Sequence, residues 1–167
     1  MFLYGAGHVG RAVTKAFVDL PFKIYWVDTH PERYPSDFPE NVTKLVARDP
    51  ADAVRHAPPG AWHVIMTHSH TIDFDICHAV MKHCDFGYIG VIASRTKRVR
   101  FERRLREVGI PDPLIAQLQA PIGLARLEGK EPAVIAVSLA ADFLLRLQNG
   151  GIQRSLLQTE RAEGAHD

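Results

Sequence analysis

Cysteine is nearly missing from this sequence: Cys77 and Cys84 are the only two in 167 residues. Two thiols cannot build a disulfide framework, so a reducing, cytoplasmic setting is the expectation. An excess of one charge is missing too. Twenty Lys and Arg against nineteen Asp and Glu leave a net charge of +1, and that balance calls for neither nucleic acid nor membrane as partner. Met1 leads straight into apolar residues with no basic stretch ahead of them, so no export signal is expected. The longest apolar run, Ala133 to Leu145, is broken by Ser138 and Asp142, and it falls short of the ~20 residues a membrane span needs. Repeats and low-complexity blocks are lacking as well.

What is present is the composition of one ordinary domain, 46% hydrophobic and 23% charged, enough to bury a core without staples. Short apolar runs alternate with helix-period segments. Phe2-Leu3-Tyr4 reads as a strand, and Val9, Ala12, Val13, Ala16, Phe17 and Leu20 fall on one helix face closed by Pro21. Strands are expected at Phe22–Val27, Val42–Ala47, Trp62–Thr67 and Phe86–Ile92. A proline-bearing loop fills Thr29–Pro39, and a short helix Asp49–Ala57. Helices follow around Ile72–Val80 and over residues 95–108, with Phe101, Leu105 and Val108 as the buried stripe of the second. Ala120–Gly123 suggests a strand and turn. Pro132 suits the first turn of a last apolar helix, which Asn149-Gly150-Gly151 should end. Strands alternating with helices imply βαβ units and a Rossmann-like, doubly wound parallel α/β sheet over residues 1–148, with residues 149–167 a disordered tail.

Gly5-Ala6-Gly7-His8-Val9-Gly10 is a G-x-G-x-x-G that follows a strand and opens a helix. Gly5 permits the tight turn, Gly7 lets the backbone approach a phosphate, and Gly10 lets the helix pack close. Free amides at the helix start would meet the anion. Asp28 ends the second strand, where an acid accepts hydrogen bonds from ribose hydroxyls and repels a 2′-phosphate, favouring NAD or another adenosine nucleotide over NADP. The plainer reading is a turn that only packs helix on strand. The first strand starts so close to the glycines that a further segment ahead of it, or a separately encoded partner, is expected.

Thr67-His68-Ser69-His70 follows the fourth strand, which should neighbour the first across the topological switch point. Thr67 and His68 are candidate ligand contacts there. A metal would need Asp73 or Cys77 in addition to the histidines, and no metal site is assigned. The two cysteines read as inert core thiols. Ser94 reads as the N-cap of a very basic helix, Arg95 to Arg106, so Ser94 and Arg95 would stand at the sheet's C-terminal edge. That helix is either a solvated charged face or a docking surface for an acidic partner or a phosphate-bearing cofactor.

Several motifs together resemble one family. Phe2 to Ala12, Met66-Thr67-His68-Ser69-His70, Phe86-Gly87-Tyr88-Ile89-Gly90, Ser94 to Arg98, Pro121-Ile122-Gly123-Leu124 and Lys130-Glu131-Pro132 are similar to the XdhC/CoxI xanthine dehydrogenase accessory proteins. The likeness runs over about residues 1 to 148, with the motifs in order. It implies the C-terminal Rossmann domain of a longer protein that binds molybdenum cofactor, protects it and delivers its sulfurated form to xanthine dehydrogenase, with a cysteine desulfurase and a second copy of the chain as further partners. The family's N-terminal domain, with a cysteine implicated in cofactor handling, has no counterpart in these residues. Val134 stands where many relatives place a glutamate, which removes a polar role at that position.

The leading reading is therefore a binding and delivery module with no catalytic residue of its own. Gly5, Gly7, His8 and Gly10 would hold phosphate, Asp28 ribose, and Thr67, His68, Gly90, Ser94 and Arg95 would line the crevice, with molybdenum cofactor or NAD or another adenosine nucleotide as ligand. An NAD-dependent oxidoreductase and a nucleotide-sensing regulatory domain are the alternatives.

Overall fold

A strand buried on both faces is apolar at nearly every position, because successive side chains point to opposite sides. Phe2, Leu3 and Tyr4 fit that pattern as β1 (Phe2–Tyr4), and all three are buried. The computed structural model describes residues 1–127 and 129–163, with side chains given through residue 150. Five further strands follow: β2 (Ile24–Asp28), β3 (Val42–Val46), β4 (Ala61–Ile65), β5 (Phe86–Val91) and β6 (Leu118–Gln119). They form one parallel sheet in the order β3-β2-β1-β4-β5-β6. Between β1 and β4 the strand order reverses, the switch point where α/β sheets open a crevice at their C-terminal edge.

Two apolar layers flank the sheet. Phe2 and Tyr4 join Ile65, Phe74, Ile76, Ile89 and Leu105 on one side, beneath α2 (His70–His83), α3 (Arg95–Glu107) and the single turn α4 (Asp112–Ile115). Leu3 joins Val13, Phe17, Trp26, Val64 and Phe143 on the other, beneath α1 (His8–Ala16) and α5 (Pro132–Glu163). Over Pro132–Gly150 the last helix is long and apolar enough to cross a membrane by composition, with mean hydropathy 1.2. Its residues Ala136, Leu139 and Phe143 are buried here, and Phe143 meets Phe17 edge-on at 5.7 Å.

Four local expectations are corrected. The sixth strand is Leu118–Gln119, just ahead of Ala120–Gly123, because only there does the chain run beside Ile89 and Gly90. The Asp49–Ala57 segment winds as a tighter 3-10 helix, Pro50–His56, with Asp49 capping the amide of Ala51 at 2.9 Å. Val108 is exposed beyond the end of α3 and adds nothing to the buried stripe. Finally, α5 does not stop at Asn149-Gly150-Gly151 but runs to Glu163. Each interior glycine costs a helix only about 1 kcal/mol relative to alanine, which good helix formers on both sides can offset. The expectation of a tail over 149–167 reaches residues 164–167, which lie outside the described residues.

An imidazole sits in the middle of the sheet. His63 on β4 is fully buried, 3.0 Å from the Tyr4 hydroxyl through Nδ1, and stacked at 5.6 Å on Phe2. Its Nε2 has no hydrogen-bond partner among the described residues. Burial disfavours the charged ring and pushes its pKa down to about 4. The unfolded chain therefore takes up a proton, between about pH 6.5 and 4, that the folded chain refuses, so stability falls as pH falls through that window. The full loss is about 3 kcal/mol. Burial raises the Asp73 carboxyl, which contributes with the opposite sign, so the comparison with a variant isolates the histidine. Urea midpoints at neutral pH and near pH 4.5 should differ clearly less in His63→Phe than in the parent; an unchanged difference would remove His63 as the source.

Candidate functional site

The turn from β1 into α1 is tied to β2 by three bonds. Gly5 N donates to Val27 O at 2.8 Å, Ala6 N to Asp28 Oδ2 at 2.7 Å, and Trp26 Nε1 to Gly5 O at 2.9 Å. The glycines have separate duties. Gly5 has φ +110°, and a Cβ there would collide with the Met66 carbonyl of the neighbouring strand end. At Gly10 a Cβ would strike the Gly5 carbonyl, so the third glycine is what lets α1 pack on the turn. Gly7 is different. A Cβ at Gly7 meets nothing within 4 Å among the described residues, so packing alone does not require glycine there.

The head of α1 is equally open. Its N-cap is Gly7, no side chain among the described residues caps it, and no acid stands in its first turn. The opening amides of a helix have no partner within it and carry partial positive charge. Together, uncapped amides and unfilled space beside Gly7 can seat a phosphate. His8 is exposed in the same first turn.

The crevice beside this turn brings together Gly5, Asp28, Thr67 and His68, four of the expected residues, with Thr29, Arg33 and Ile72 that no motif announced. Arg33 closes it. Its Nη1 lies 3.3 Å from Asp28 Oδ1 and 2.9 Å from His68 Nδ1, bridging the two sides of the switch point, while the Arg11 guanidinium binds the Arg33 carbonyl. The gap left is about 10 Å³, close to the room of one water. Asp28 is itself fully engaged: beyond Ala6 and Arg33 it accepts from His30 N at 3.1 Å and from the Thr29 hydroxyl at 3.4 Å. A ribose could reach this carboxylate only after Arg33 leaves.

The other expected residues have local partners. Thr67 binds Asp73 Oδ1 twice, from its amide at 2.9 Å and from its hydroxyl at 2.7 Å, which orders the loop after β4. Ser69 caps α2 at Ile72 N. Gly90 lies in the body of β5, where a Cβ would press on Tyr88 and Ile122. Ser94 caps α3 through Lys97 N at 3.3 Å, and Arg95 begins that helix exposed. Burial drives the Cys77 thiol up to about 12 and raises that of Cys84, so neither is a ready nucleophile. Among the described residues no three His, Cys, Asp or Glu side chains gather as a metal site. Arg33 escaped sequence reasoning because it sits in a proline-bearing loop; only the chain's return to β3 brings it over the crevice.

A family described as the XdhC Rossmann domain matches residues 1–143. The chain is 31% identical over 145 residues to the uncharacterized protein YqeB of Escherichia coli K12, covering 86% of this chain and 26% of that protein. Among solved structures it is similar in fold to one described as a xanthine dehydrogenase from Bacillus halodurans, with TM-score 0.72 and 24% identity over 89% of this chain and 42% of the other. The chain thus spans about a quarter of the curated relative and under half of the structural one.

The three glycines separate in a stability measurement. Gly7→Ala should leave the unfolding free energy within about 1 kcal/mol of the parent, the scale of a changed cap. Gly5→Ala and Gly10→Ala should each cost about 2 kcal/mol or more, from the left-handed backbone in the first case and overpacking in both. Equal losses at all three positions would contradict the division.

Proposed function

The chain belongs to the XdhC family through its Rossmann domain, and from that premise we propose that it is the phosphate-holding unit of a xanthine dehydrogenase accessory protein. The cargo is molybdenum cofactor, kept bound and passed to the molybdoenzyme. The chain supplies binding and handover and needs no reaction of its own.

The observation that carries this reading is the pairing of an uncapped α1 N-terminus with empty space at Gly7. The cofactor's pterin bears a phosphate, and amides at Gly7 and the first turn of α1 suit that group. His8 and Arg11, both exposed on that turn, add charge or hydrogen bonds next to it. Arg33 stays closed over Asp28 in this reading, since a pterin makes no demand on a ribose-binding acid.

A second reading has one specific support, the acid at the end of β2. An adenosine nucleotide, NAD included, would place its ribose at Asp28 once Arg33 swings away from Asp28 and His68. The arginine then sets ligand choice, because its ion pair must break for an adenosine and need not break for the pterin phosphate.

Calorimetry with molybdopterin, AMP and NAD, in parent, Gly7→Val and Arg33→Ala chains, tests both readings. Gly7→Val should fold and lose at least about tenfold in affinity, since its side chain fills phosphate space. Arg33→Ala should leave molybdopterin binding nearly unchanged and strengthen AMP and NAD. Unaltered molybdopterin affinity in Gly7→Val would sink the phosphate assignment. Tight AMP or NAD binding by the parent, with no molybdopterin binding, would replace the first reading by the second.

A further inference from the structure

The cations of α3 fall into two sets. Arg98 pairs with Glu102 at 2.7 Å, Arg103 with Glu107 at 3.5 Å, and Arg106 with Asp112 at 2.6 Å. Arg95, Lys97, Arg100 and Arg104 have no carboxylate within ion-pair distance among the described residues, and the last three line one groove. Those three share one helix face by their spacing, and that face borders a groove of about 210 Å³ between α2 and α3. Among the described residues no acid lines the groove. Its floor is Phe74 and Phe101, both buried, with rings 5.8 Å apart.

Two of the three groove cations are held against its walls. The Arg104 guanidinium lies 3.9 Å over the Phe74 ring, and Lys97 Nζ is 2.7 Å from His70 Nε2. Like charges one turn apart on a helix, as Lys97–Arg100 and Arg100–Arg104 are, repel one another. An anion lying along them would relieve that repulsion.

We infer that this groove docks an acidic segment of a partner protein, with carboxylates against Lys97, Arg100 and Arg104 and one apolar side chain on the Phe74–Phe101 floor. Charge complementarity and shape favour this occupant. At about 210 Å³ the groove is smaller than the roughly 300 Å³ or more of a usual small-molecule pocket. Its three cations span about 10 Å along the helix, at 1.5 Å per residue, matching carboxylates on successive turns of a peptide. The inference is independent of the ligand at the glycine loop, and its failure leaves that assignment standing.

The probe is a fluorescent peptide with glutamates on both sides of a central leucine, measured by anisotropy against its glutamine counterpart. The full chain should bind the glutamate peptide, more weakly as salt rises, and the glutamine peptide at least about tenfold more weakly. Arg100→Glu with Lys97→Glu should abolish binding, while Arg103→Glu, whose partner is Glu107, should leave it near the parent value. Both groove residues are exposed, so circular dichroism should show an unchanged fold, and Arg100→Ala serves as a milder second variant. No binding of the glutamate peptide, equal binding of the two peptides, or equal loss in Arg103→Glu would overturn the proposal. Capture of anionic vesicles or of a single-stranded oligonucleotide in place of the peptide, lost in the groove variants, would overturn it too.

Discussion

Three hydrogen bonds from the end of β2 to the turn after β1 carry the rest of this molecule. The Asp28 carboxylate, the Val27 carbonyl and the Trp26 indole fix Ala6 and Gly5 from one side. That places α1 with its head at the sheet's edge, where its amides are turned to solvent without a side-chain cap among the described residues. A buried carboxylate is costly unless it is fully hydrogen-bonded, and Asp28 meets that condition by holding the loop and Arg33 together. The acid proposed to meet a ribose is also the tie of the glycine turn, so removing it would disturb the turn as well.

From that tie follows the form of the crevice. With Arg33 drawn to Asp28 and His68, the crevice at the switch point is closed, while the space beside Gly7 stays open among the described residues. A family fold shared with nucleotide-binding proteins thereby presents only half of their site in the open. The α2–α3 groove lies on the same flank of the sheet as His70, which links the loop after β4 to Lys97. The crevice and the proposed docking groove thus share no charged side chain.

Much of the architecture was legible in the residues because the signals are local. Phe2-Leu3-Tyr4 is apolar at every position, as suits a strand covered on both faces, and β1 is buried throughout. Ser94 was read as a cap from its type and place, and it caps Lys97 N. Signals that compete with a neighbour were misread. Gly150-Gly151 looked like a stop, yet a glycine ends a helix only when the chain beyond it prefers to leave, and α5 continues. Ala120–Gly123 looked like the strand, although the pairing that defines one is made by Leu118 and Gln119 beside β5.

The order of apolar runs and glycines along the chain determined the parallel sheet, the place of the turn and the presence of an acid at the end of β2, because each depends on residues near one another in sequence. The tertiary structure alone decided that Arg33 seals the crevice, that His63 is buried with no partner for Nε2 among the described residues, and that Lys97, Arg100 and Arg104 line one groove while Arg98, Arg103 and Arg106 are paired. Those are contacts between residues brought together only by the path of the chain, and pairwise distance, unlike periodicity, leaves no mark on a single sequence.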